Sequence, residues 1–148
     1  MSRRNSESAN AVIIYAIVPR QAGRNEVYIG TCIEGNERRV YQTHLHGNFL
    51  HTREMMQAGY DERCLPDMYQ LDRCPVSDGA TAAKQKACID FFTQAGYQVL
   101  MSEQNRRWFS NPWPGSEDFY YSLCKRGLAD VLAPGNRCVH DYQPRAWK

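Results

Sequence analysis

Short apolar blocks alternate along the chain with polar stretches rich in Gly, Pro and Asn, a pattern of short strands and helices. Residues 11–18 (AVIIYAIV) are an unbroken apolar run rich in β-branched side chains and predict a buried strand. Residues 19–25 carry Pro, Gly and Asn and predict a turn. Residues 26–32 (EVYIGTC) then return as a second strand, so the two form a hairpin. Asn36 is placed to cap a helix over 37–46, and a second helix is expected over 49–58 with Gly59 as its stop. Residues 67–74 (DMYQLDRC), set between Pro66 and Pro75, predict a short third strand, although Met68 and Gln70 alternate poorly. The strongest helical period lies at 81–95, opened by Ser77-Asp78-Gly79. Ala87, Cys88, Phe91, Phe92 and Ala95 share one face there, and Gly96 ends it. Residues 97–101 read as a short fourth strand and 117–126 as a further helix.

These elements define a small α+β domain: a mostly antiparallel three-stranded sheet flanked by helices over 11–102, behind a polar tail at 1–10. Residues 103–148 are expected to pack on it as a C-terminal extension. At 148 residues the chain suits one core, and its 43% apolar fraction excludes wholesale disorder. The longest apolar run is eight residues, too short to span a bilayer, and polar residues 5–10 with Glu7 spoil a signal peptide. A cytoplasmic protein with no membrane partner is therefore expected. Six cysteines without a C-x-x-C pair or an export signal are read as reduced structural thiols rather than disulfides or a zinc site.

Two strands each present a tyrosine, Tyr15 in Ile13-Ile14-Tyr15 and Tyr28 in Tyr28-Ile29-Gly30. Taken singly these are ordinary strand residues with rings in a core. Two such strands in a hairpin, followed by a helix opening with Arg38-Arg39 and reaching His44, and later by a capped helix before Gly96-Tyr97, resemble the GIY-YIG nuclease superfamily. The second signature is intact, whereas Ile13 stands where the family has glycine. The resemblance covers 11 to about 101.

It implies hydrolysis of phosphodiester bonds in DNA, with RNA left open, assisted by one divalent metal, Mg²⁺ or Mn²⁺. By this resemblance Tyr15 and Tyr28 would serve the attacking water, Arg39 (or Arg38) the phosphate charge, and His44 (or His46) proton transfer. His44 follows Arg39 by five positions, about 140° around a helix, which is a poor spacing for sharing a site. The metal-binding glutamate of the family corresponds to Gln85, a neutral isostere and a much weaker anchor for a lone cation. A shifted alignment, a natural domain that binds without cutting, and an inactivated variant all remain open. In the extension, Arg106, Arg107 and Trp108 are candidates for nucleic-acid contact, a basic–aromatic mixture suited to phosphate pairing and base stacking. The same residues could instead cover the core and face water. A non-catalytic nucleic-acid-binding module and a protein-interaction domain are the rival readings.

Overall fold

The computed structural model describes residues 11–47, 49–75 and 80–139. Strand β1 (Ala11–Val18) pairs antiparallel with β2 (Glu26–Ile33) and, on its other side, with β3 (Asp67–Pro75). Helices α1 (Glu37–Leu45) and α2 (Arg53–Asp61) lie between β2 and β3, joined through a 3₁₀ turn, Leu50–Thr52. Helix α3 (Ala80–Gln94) leads to β4 (Gln98–Leu100). Helices α4 (Glu103–Trp108), α5 (Ser116–Arg126) and α6 (Leu128–Val131) follow, then a 3₁₀ turn and β5 (Arg137–Val139).

The fold is α+β, but its sheet is not the expected three-stranded antiparallel one. It has five strands in the order β4-β2-β1-β3-β5, and β4 runs parallel to β2. β4 falls within the short fourth strand expected over 97–101, whereas β5, also three residues long, is too short to carry a period of its own. They exist because the edges of β2 and β3 offer unpaired backbone groups.

β1 is the centre of the sheet and is covered on both faces, which is why its sequence is apolar without alternation. Ile14, Ala16 and Val18 join Val27, Ile29 and Leu71 beneath α3, while Ile13, Tyr15 and Ile17 join Met55, Met56 and Met68 beneath α1 and α2. Each buried Ile contributes about 1.5–3 kcal/mol. Leu123 of α5 and Val131 of α6 complete the first cluster, and Val139 of β5 joins the second, so residues beyond 102 build core as well as surface. The poor alternation of β3 has a cause: the register slips between Ile14 and Tyr15, whose partners are Asp72 and Gln70, leaving Leu71 as an extra residue.

Helix α3 ends one residue earlier than the pattern suggests. Gly96 has φ +96° and donates to the Thr93 carbonyl, and Tyr97 donates to that of Phe92, a Schellman closure. Ala95 therefore falls outside the helix and is exposed rather than on its buried face. Ser77-Asp78-Gly79 lie outside the described residues. Asn36 occupies the cap position of α1 without a capping bond from its side chain; the Glu37 carboxylate instead accepts from the Gly35 amide. All six cysteines are free thiols.

Gly59 does not stop α2, which runs two residues past it. Its role is steric. A Cβ there would stand 2.8 Å from Pro66 Cδ and 2.9 Å from the Cys64 carbonyl oxygen, so the turn before β3 packs directly on the helix backbone. Gly59→Ala gains about 1 kcal/mol of helix propensity but meets atoms that cannot rotate away. A net loss of about 1–3 kcal/mol is expected in urea denaturation; a more stable variant would show that the contact yields.

Candidate functional site

The site is assembled where the hairpin meets α1. Tyr15 and Gly30 face each other across β1 and β2. The Tyr15 ring lies over Gly30, and a Cβ on Gly30 would come within 2.7 Å of the Tyr15 hydroxyl and 2.8 Å of the Tyr28 ring. An aromatic ring covering a cross-strand glycine excludes any side chain there, which accounts for the glycine of the Tyr28-Ile29-Gly30 tripeptide. Tyr15 and Tyr28 stand on the same face of the sheet, with ring centroids 6.1 Å apart.

Behind them the chain has placed a buried histidine. His44 is fully buried on the inner side of α1, with Nε2 2.9 Å from the Tyr15 hydroxyl and Nδ1 2.8 Å from Thr52 Oγ1. The hydrogens can be counted. Thr52 donates its one hydroxyl hydrogen to the Phe49 carbonyl at 3.3 Å, so Oγ1 accepts from His44 Nδ1–H. Nε2 is then the acceptor, and Tyr15 O–H donates to it. The Tyr28 ring stands beside Tyr15 on the outer side of this chain.

Burial sets the charge states. It pulls His44 down to about 3, leaving a neutral imidazole at neutral pH. Burial also pushes both phenols up. Tyr15 is 2% exposed and Tyr28 half-buried, so Tyr28 is the group nearest solvent. Phe49 packs over the edge of the site, its ring centroid 4.2 Å from His44 and stacked with Tyr28 at 6.5 Å.

The remaining candidates are distributed elsewhere. Arg38 and Arg39 are exposed. The α1 positions three and four before His44 are Tyr41, fully buried, and Val40, packed on the same cluster, so neither arginine shares the His44 face. His46, at the end of α1, is exposed and lines a surface groove with Arg53, Gln57 and Tyr60. Arg106, Arg107 and Trp108 are exposed on α4. Gln85 reaches the sheet from α3, and its Nε2 donates to the Ile29 carbonyl at 3.3 Å, one residue past the last β2–β4 pair, Tyr28 with Leu100.

That contact bears on the metal. Gln85 spends its amide donor on the strand edge and offers only a neutral carbonyl oxygen, a donor set that does not fit a lone Mg²⁺ or Mn²⁺ ion. Among the described residues no group of three or more His, Cys, Asp or Glu could hold a metal ion. Among them, too, no helix is long and apolar enough to cross a membrane.

Sequence reasoning missed Thr52 and Phe49, which support and cover His44, because nothing in their local pattern marks them. It also missed Asp67, buried at 3% exposure and held by a bidentate Arg20 at 2.7 and 3.0 Å. The acid's position at the first residue of β3, beside the apolar Met68, was its available signal. No family model, curated protein or solved structure matches the chain.

Gly30→Ala should cost about 1–3 kcal/mol and displace both rings, read as lost near-ultraviolet tyrosine dichroism and a lower melting temperature. An unchanged spectrum and midpoint would mean the rings are not pinned on Gly30.

The unfolded chain protonates His44 near its ordinary value of about 6.5, whereas the folded chain resists until about 3. Between those values the unfolded state binds the extra proton. The His44 contribution is thus intact above about pH 6.5 and falls as the pH drops toward 3, by about 1.4 kcal/mol per unit at its steepest. Urea titrations from pH 7 to 4 should lose this part of the slope in His44→Gln; equal slopes for the two proteins would refute it.

Proposed function

We propose that this chain is an endonuclease-type domain of GIY-YIG architecture that engages the phosphodiester backbone of DNA, and that hydrolysis awaits a carboxylate at position 85. The observation that carries the reading is the convergence of Tyr15, Tyr28 and His44 on one face above Gly30, with Gln85 bonded to the intervening Ile29. In this reading Tyr28, the outer phenol, meets the phosphate or its attacking water. Tyr15, fixed by its hydrogen bond to neutral His44, packs against Tyr28 and supplies orientation rather than charge. The phosphate charge needs a cation that the His44 face of α1 does not offer, and the exposed arginines elsewhere supply binding rather than transition-state contact.

A second reading, a module that binds nucleic acid without cutting it, is favoured by one observation: the Gln85 amide closes the β2 edge as a structural donor. Gln85→Glu separates the two. It removes that donor and sets a carboxylate against the Ile29 carbonyl, so without metal the variant should melt lower, by about 1–3 kcal/mol of stability. In a site shaped for a cation, added Mg²⁺ or Mn²⁺ should restore the loss and bring plasmid nicking that the parent lacks. Tyr28→Phe in the same background should abolish the nicking while leaving the fold intact. A Gln85→Glu protein with no metal-dependent shift in melting and no cleavage would leave the binding module as the reading.

A further inference from the structure

The surface of α4 carries a feature that the tyrosine site does not use. Trp108, the last residue of the helix, is 52% exposed, and its carbonyl accepts from both Trp113 Nε1 and Asn111 Nδ2 at 3.3 Å. These bonds fold the following loop back so that the Trp113 ring braces Trp108, with centroids 4.9 Å apart. The result is an aromatic face fixed in place and open to solvent. Beside it lies a groove of about 360 Å³ lined by Gln104, Asn105, Arg107, Trp108 and Asn111. Its chemistry is one flat π-face, three amides and a guanidinium, with no carboxylate in the lining.

The charge around this groove is unspent. Arg20, Arg24, Arg73, Arg126 and Arg137 are each within ion-pair distance of an acid. Among the described residues Arg106 and Arg107 make no ion pair, even though Glu103 lies one turn before Arg107. A larger groove of about 820 Å³ between α3 and α5 differs in this respect, because Asp90 and Glu117 line it and its one cation, Lys86, is already paired with Asp90.

We propose that the Trp108 groove takes one unstacked base, with its adjoining phosphate, from a single-stranded nucleic acid. This rests on the reading that the partner is a nucleic acid and names the form of it that is bound. Trp108 supplies the stacking face, which duplex stacking would deny it. Gln104, Asn105 and Asn111 match the donors and acceptors of a base edge, and Arg107 meets the phosphate. Chain length bounds how far this groove can lie from the tyrosine face. Leu100, opposite Tyr28 in the sheet, precedes α4 by three residues, which puts the Trp108 Cα within about 18 Å of the Leu100 Cα. A strand crossing Tyr28 covers that distance in about five nucleotides of helical rise.

The test is fluorescence anisotropy, without metal, using labelled oligo-dT and oligo-rU of about 12 nucleotides and a duplex of the same length. The full chain should bind single strands more tightly than duplex. Trp108→Ala should weaken that binding about tenfold, Trp108→Phe should keep most of it, and Arg107→Gln should flatten the salt dependence by about one phosphate contact. Equal melting curves establish that the variants are folded, since Trp108 and Arg107 are exposed. Equal affinity for oligo-dT and oligo-rU supports the inference for both sugars. Single-strand binding that Trp108→Ala and Trp108→Phe leave unchanged, or duplex bound as tightly as single strand, overturns the inference and leaves the function proposed above standing. A parent chain that binds no strand form overturns both.

Discussion

The buried Tyr15 phenol governs the arrangement around it. A hydroxyl at 2% exposure must find a partner or cost about 1–3 kcal/mol, and it finds His44 at 2.9 Å. Several features follow. His44 must be neutral, with its proton on Nδ1. Thr52 must present Oγ1 at the other end of the ring, which fixes the 3₁₀ turn between α1 and α2. Position 30 must be glycine, since the ring occupies the space a side chain would need. One polar group on the central strand thus ties β1, β2, α1 and the turn into a single unit. Because each hydrogen bond in the chain has one available donor, the network is directional and closed rather than a loose cluster.

The opposite face of the sheet is organised by burial alone. There α3 lays Ala87, Cys88, Phe91 and Phe92 on the strands, and α5 packs outside it through Leu123. Gln85 stands at the boundary between this face and the open edge of β2. Its amide does for Ile29 what a fourth pairing would do in a longer β4, satisfying a carbonyl beyond the last ladder bond. A glutamate at this position would repel the same carbonyl unless a cation lay between them.

Charge is spread unevenly over the molecule. Most arginines near the sheet are spent in holding it together, Arg20 on buried Asp67 above all. Arg106 and Arg107 on α4 stand with a solvent-facing tryptophan and make no ion pair among the described residues.

Local pattern determined the elements that depend on neighbours in the sequence. The apolar run of β1, the hairpin to β2, the helical face of α3 and its glycine stop were all legible, because period and turn chemistry act over a few residues. The two tyrosines were legible as a pair because the hairpin length sets their register. Tertiary structure decided the rest. The fourth strand expected over 97–101 is present as β4, but its parallel place beside β2 came from the free edge there, and β5, three residues long, holds no period that could announce it. Gly59 looked like a helix stop, yet its lack of a side chain serves a contact with Pro66 that no local rule contains. His44 and Arg39 were expected to serve one site by the resemblance, although their spacing of five positions already spoke against it. The 140° between them sent the histidine into the core and left the arginine in water, and only the packed position of Tyr15 could decide which of the two the site would keep.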